Sequence, residues 1–426
     1  MKKYSIIALL AFILFGCGYP VTYKHYTPIY MSFTELRSSV KLNATSDLKD
    51  PGKIYIKGNY LYINEKNKGI HIIDNSNPTA PIKKGFISIP GNFDISIKGD
   101  TLYADSYTDL VAIEMSSDMS GISVTKRLEN VFSYDPYNSL GFNRWDYYYY
   151  TEVWDSIDPA NGVVVGWDVK EETKYEYPSI FPQPVYSDGS GSESSGSTGV
   201  GGSTARFTIV GDYLYTIDAN YLYLFRILDS GAPSVWLKQW VGWGIETIFP
   251  FSGNLLIGST SAMYIYDVST DASNPLQTSS INHFTSCDPV VAEGDYAYVT
   301  LRSGNTCGNS DINELQIIDI SDLDYPKLKT RKSMYGPSGL GIENGILFIC
   351  DGKAGIKIFD ARNNPVNPVF LQKIEIETAK DVIPYNNTLI VTSDIGVMQY
   401  DYSDLSVDIN GKKLSEIPIV KEALPD

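Results

Sequence analysis

Gly58-Asn59-Tyr60-Leu61-Tyr62-Ile63 decides the fold, because it returns along the chain as Gly99-Asp100-Thr101-Leu102-Tyr103-Ala104 and Gly211-Asp212-Tyr213-Leu214-Tyr215-Thr216. Shorter copies follow at Gly253-Asn254-Leu255-Leu256-Ile257, Gly294-Asp295-Tyr296-Ala297-Tyr298 and Gly345-Ile346-Leu347-Phe348-Ile349, and the last is Asn387-Thr388-Leu389-Ile390-Val391. Successive copies are 41, 112, 42, 41, 51 and 42 residues apart. Self-similarity at a fixed period of about 40 residues marks a repeat architecture. The 112-residue step holds a long insertion, and the 51-residue step a short one near Arg302 to Glu314.

About ten to twenty residues after the start of each first motif comes an apolar run, such as Gly69-Ile70-His71-Ile72-Ile73-Asp74 or Leu315-Gln316-Ile317-Ile318-Asp319. Near-continuous apolar runs of this length fit strands buried on both faces. The Gly-Asn and Gly-Asp pairs read as two-residue hairpins of type I′, which need positive φ at both positions. A polar, Pro-containing turn follows each run, as in Asp74-Asn75-Ser76-Asn77-Pro78, and the Asp is placed to accept from turn amides. A fourth strand closes the period, for example Phe86 to Ile89. Four short strands repeated seven times predict an all-β, seven-bladed β-propeller of four-stranded blades over residues 52–421, with residues 422–426 as a tail.

These motifs also carry a resemblance. Gly69 to Pro78 and Leu315 to Ser321 resemble the LVIVD-repeat proteins. That family implies an exported β-propeller and no general activity. Residues of the second, third and seventh copies depart from its Asp-x-Ser-x-Pro ending, which puts their turn geometry in question.

The N-terminus reads as an address. Lys2 and Lys3 precede the apolar run Ile6 to Phe15, too short for a helix that crosses a bilayer but suited to a signal peptide. Gly16-Cys17 at its end resembles the lipobox of bacterial lipoproteins. The resemblance implies removal of residues 1–16 and acylation of Cys17, with residues 17–51 as a lipidated tether and arm. Several acyl chains together hold a protein durably on a membrane. Gly18 after the Cys points, by analogy, to the outer membrane. Ser32-Phe33-Thr34-Glu35 has the pattern of a capping box and predicts a short helix over 33–39, or else an extended arm.

The chain has 426 residues, 34 Lys plus Arg against 50 Asp plus Glu, and a net charge of −16. That balance argues against nucleic acid, whose phosphates demand clustered cations. A monomer is expected. The insertion, residues 133–203, holds Trp145, Tyr147, Tyr149 and Trp154, read as a long hairpin that projects from the second blade. Ser187 to Ser203 reads as a Gly/Ser-rich return linker. Both insertions belong to connections on the same rim, where loops on a rigid scaffold bind partners.

No catalytic, metal or cofactor motif emerges. His25, His71 and His283 share no ligand spacing with one another or with Cys. The functional candidates are the four insertion aromatics, for a protein or glycan ligand, and an acidic mouth. The mouth comprises Glu65, Asp105 and Asp351, with Asp218 and Asp394, at the ends of second strands, and Asp94, Asp288 and Asp381 near the starts of first strands. It would suit a cation, a basic group or, alternatively, hydrolysis or cleavage of an envelope glycan; solvated turn residues are the plainer reading. A purely structural envelope protein is the third class. Cys287 and Cys307 fall on the elaborated rim and are expected to form a disulfide, and Cys350 to be a buried thiol.

Overall fold

Each first motif forms the second strand of an antiparallel four-strand unit in the computed structural model, which describes residues 19–134, 136, 152–176, 200–201, 203–228, 231–282, 289–302 and 312–420. The chain forms two compact units, one of residues 39–133 and 192–426 and the other of residues 1–38 and 134–191. Among the described residues the larger unit holds seven such four-strand sets, over 51–88, 95–128, 207–240, 245–282, 290–333, 340–374 and 379–418. Every set uses four consecutive strands in spatial order. The first set is widened to six strands by Lys41–Asn43 on its outer edge and Val200–Gly201 on its inner edge.

Exposure follows strand position. Second and third strands such as Tyr60–Glu65 and Gly69–Asp74 are almost wholly buried, whereas fourth strands such as Lys327–Ser333 alternate exposed and half-buried. Apolar residues of one sheet face their neighbours on both sides. Tyr62, Ile70 and Ile72 of the first sheet pack with Leu102 and Val111 of the second, while Tyr103 of the second packs with Phe207 and Leu214 of the third. Further clusters join the third sheet to the fourth, the fourth to the fifth, the fifth to the sixth and the sixth to the seventh. A seventh cluster sets Ile54, Leu61 and Ile63 of the first sheet against Ile383, Ile390 and Val397 of the last. Beside it Leu48 pairs with Ile419 in a parallel bridge.

The hairpin expectation needs a correction. Gly58, Gly99, Gly211 and Gly294 have positive φ while the residues after them do not. This is the signature of type II′, which places Gly first. Only Ser252-Gly253, Asn344-Gly345 and Asn386-Asn387 have positive φ at both positions, as type I′ requires. The turn after the third strand behaves as read: Asp74 accepts from the Ser76 amide and hydroxyl at 3.0 and 2.6 Å, and Asp319 and Asp401 repeat the arrangement with Ser321 and Ser403.

Gly69 opens the third strand of the first sheet at φ 140°, and a Cβ there would run into the Ile87 carbonyl. Gly58 has positive φ but open space around it. Gly69→Ala is therefore expected to cost about 1–3 kcal/mol, against about 1 kcal/mol for Gly58→Ala. Denaturant midpoints of the two variants check this, and equal shifts would discount the clash.

The smaller unit corrects the long-hairpin reading. Its three-stranded sheet has Tyr19–Met31 in the middle, flanked by Glu152–Trp154 in parallel and Val163–Glu176 antiparallel. The two described insertion strands therefore pair with the N-terminal segment and not with each other. The segment read as a tether supplies the central strand. Phe33–Ser38 is a helix, and the Ser32 hydroxyl accepts from the Glu35 amide at 3.2 Å.

Candidate functional site

The ends of the second strands carry the acidic residues singled out above, and the structure gives three of the five, Glu65, Asp105 and Asp351, a common occupation. Glu65 accepts from the Lys49 and Asp50 amides at 3.1 and 2.7 Å. Asp105 accepts from the Phe93 and Asp94 amides, both at 2.9 Å. Asp351 accepts from the Tyr335 and Gly336 amides at 2.8 and 2.9 Å. In all three sheets the amides belong to the connection that leads into the first strand. Each carboxylate thus fixes the loop ahead of its own sheet, and the other oxygen of Asp351 faces the Lys357 ammonium. Glu65 also meets His71 Nε2 at 3.1 Å, with both side chains buried. Asp218 accepts from the Tyr223 hydroxyl at 2.7 Å, and Asp394 lies on the surface with Lys380.

Asp94, Asp105 and Asp381 come together around two cations that the sequence reading missed. Arg206 is buried and donates its amide to Asp94 at 3.2 Å, while the Lys53 ammonium donates to the Thr204 carbonyl at 2.5 Å. Asp381 accepts from the hydroxyls of Ser203 at 3.3 Å and Thr204 at 3.1 Å. Burial pushes Asp94 well above the carboxylate range, against the pull of Lys53. It raises Asp105 and Asp381 to about 6, although the Asp94 and Phe93 amides oppose it at Asp105 and the Thr204 hydroxyl at Asp381. Lys53 is only half-buried as a residue, yet desolvation of its ammonium brings it down to about 7. Arg206 falls to about 10 for the same reason. Three acids thus share the field of two cations of the same chain, and Nε and Nη2 of Arg206 are buried without a hydrogen-bond partner among the described residues. Among the described residues no group of three or more His, Cys, Asp or Glu is arranged to hold a metal ion.

A solvent-facing feature lies on the rim formed by the connections after the second and fourth strands. Tyr221 opens a third strand and pairs with Trp240 at the end of the fourth, and Tyr223 pairs with Lys238. The Lys238 ammonium sits 4.2 Å above the Tyr221 ring and 4.9 Å from that of Tyr223. Trp243, in the next connection, meets Trp240 edge-on at 6.4 Å. These indoles are 53 % and 68 % exposed. Large exposed aromatics grouped together mark docking surfaces. A cleft of about 250 Å³ opens at the other rim, between Asn59 and Pro78 of the first sheet and Tyr385 and Asn386 of the last.

Of the insertion aromatics, Trp154 is half-buried, stacked on Tyr26 at 3.9 Å and against Trp167 at 4.7 Å. Trp145, Tyr147 and Tyr149 lie outside the described residues, as do Cys17, Cys287, Cys307, Asp288 and His283. Cys350 is buried, and burial holds its thiol well above its ordinary value. Among the described residues no helix is long and apolar enough to cross a membrane.

The LVIVD repeat model matches residues 50–88 and 286–332, the first and fifth sheets. The chain is a β-propeller repeat protein. Solved structures agree on that fold. The periplasmic gluconolactonase PpgL of Pseudomonas aeruginosa superposes with a TM-score of 0.55 at 9 % identity, over 89 % of this chain and 96 % of that one. The computationally designed Ika8 protein gives 0.51 at 7 % identity, over 89 % and 91 %. A protein from Lactobacillus plantarum gives 0.50 at 11 % identity, over 78 % and 86 %. At these identities the likeness is one of fold. No curated protein matches the chain. In this propeller Glu65, Asp105 and Asp351 hold loops in place, and the Trp240–Trp243 rim faces solvent.

Proposed function

We propose that this chain is an exported, lipid-anchored, seven-bladed β-propeller that serves as a binding scaffold for a protein or glycan at the cell envelope. Seven four-strand sets, each packed on the next and the last on the first, support a closed ring of seven blades. The lipobox pattern at Cys17 supports acylation there and attachment to the outer membrane. Cys287 and Cys307 would then pin the lengthened rim loop of the fifth blade through a disulfide.

One observation carries the binding role: Trp240 and Trp243 stand exposed on the rim from which both insertions leave, beside a lysine set over two tyrosines. Amphipathic rings of this kind supply contact area at low entropic cost, to a sugar face or to a protein. The rim carboxylates Glu65, Asp105 and Asp351 are engaged with backbone amides, which favours binding over hydrolysis at that mouth.

The test is capture from envelope extract by the full chain and by Trp240→Ala/Trp243→Ala. Loss of two such anchors is expected to weaken retention of the bound species at least tenfold, on the scale of ~2 kcal/mol per hot-spot residue. Equal retention by both proteins would remove this rim as the docking face.

A further inference from the structure

The segment that returns from the insertion does not end at the rim. Val200 and Gly201 pair antiparallel with Ile56 and Tyr55, on the inner edge of the first sheet. The Thr204 carbonyl then accepts from Lys53 of the same sheet. Ser203 accepts from the amide of Leu340, in the first strand of the sixth sheet, at 2.8 Å. Ser203 and Thr204 donate to Asp381 of the seventh. The Ala205 carbonyl accepts from the amide of Ile248, in the first strand of the fourth, at 2.5 Å. Arg206 binds Asp94 ahead of the second, and Phe207 begins the third. Six of the seven first strands, or the residues that lead into them, are thus met by residues 200–201 and 203–207. Only the place where first strands converge allows this.

We propose that this convergence is a peptide-binding seat and that the chain fills it in cis with Val200–Gly201 and Ser203–Arg206. The seat reads an extended backbone through the edge of Pro51–Lys57, and two adjacent hydroxyl side chains through Asp381 and the Leu340 amide. A small residue follows in the 3 % exposed position of Ala205, and Arg206 sits within the field of Asp94 and Asp105. The plug occupies two carboxylates of the acidic mouth, Asp381 with the chain's own hydroxyls and Asp94 with its own amide. A propeller normally leaves this axial end open or filled by side chains; here main chain occupies it.

Two measurements test the proposal on the full chain. In the first, Ser203→Ala removes the acceptor of the Leu340 amide, 137 residues away in sequence. Hydrogen exchange at Leu340 is expected to quicken about fivefold to tenfold, the equivalent of one lost hydrogen bond, while the Leu102 amide in the second sheet is unaffected. In the second, residues 200–206 are replaced by Gly and Ser, and the synthetic peptide Val-Gly-Gly-Ser-Thr-Ala-Arg is titrated against both proteins. Binding to the replaced chain and not to the parent is the expected result. An unchanged Leu340 amide, or a peptide that binds neither or both proteins equally, overturns the seat. Should the replaced chain fail to fold, Ser203→Ala/Thr204→Ala serves as the opened form with the same reading. Neither measurement involves Trp240 or Trp243, so the rim proposal stands or falls separately.

Discussion

Glu65→Ala is expected to lower the free energy of unfolding by about 3–5 kcal/mol at pH 7, the scale for removal of one partner from a buried pair. The substitution leaves the buried His71 without its carboxylate and strips the acceptor from the Lys49 and Asp50 amides. Those amides precede the first strand and adjoin Leu48, which forms a parallel bridge with Ile419 just after the last sheet. The loss should therefore unfasten the junction of the first and last sheets as well as weaken one loop. The pH dependence has a definite sign. Burial pushes the Glu65 carboxyl up, but the His71 and amide bonds outweigh it and hold the group below its ordinary value. A carboxyl with a depressed folded pKa contributes stability above its unfolded pKa, about 4.3, and loses it as pH falls through the folded value. The parent should thus weaken over that acid range, and Glu65→Ala should weaken less steeply there. Guanidinium unfolding at pH 7 and in acid, followed by tryptophan fluorescence, reads both. A variant within 1 kcal/mol of the parent at pH 7, on the usual error of such extrapolations, would show that the pair is dispensable.

Leu61→Ala and Leu102→Ala are expected to cost the same, about 2–5 kcal/mol each. They occupy equivalent places in the repeat, the fourth residue of Gly58-Asn59-Tyr60-Leu61 and of Gly99-Asp100-Thr101-Leu102. Both are at most 1 % exposed. Leu102 packs into the cluster between the first and second sheets, whereas Leu61 packs into the one between the first and the last. In an open arc the first sheet would have only solvent on that side, and truncation of Leu61 would be nearly free. In a closed ring the two cavities are alike. Urea midpoints of the two variants decide between them, and a shift for Leu102 alone would open the ring.

The repeat was legible because buried strands recur with the same apolar pattern, and a strand's pattern depends on its immediate neighbours in sequence. The Asp turns were legible for a similar reason: Asp74 and Ser76 are two residues apart and need nothing else. Turn type was misread in four hairpins because Gly-Asn and Gly-Asp carry Gly in the first position, which suits type II′ and not type I′. The partner of Tyr19–Met31 was not legible, since its pairing with Val163–Glu176 spans over a hundred residues and nothing local to either strand names the other. Arg206 and Lys53 escaped notice because a single cation in or beside a strand ordinarily reads as solvated. The signal available was Arg206 directly ahead of the apolar Phe207–Val210, where a solvated turn residue would be expected to be Asp, Asn or Gly. The acidic positions were visible, but their service to backbone amides of the preceding loop depends on tertiary placement that no local pattern encodes.

Among the described residues the seven clusters of buried apolar side chains are each shared between two sheets. During synthesis the first sheet emerges with Leu61 and Ile63 facing a neighbour that does not yet exist, since Ile383, Ile390 and Ile417 come last. That face stays bare until some 330 further residues have followed it. A chain stopped short of Ile383 would leave that apolar face of the first sheet bare and prone to association.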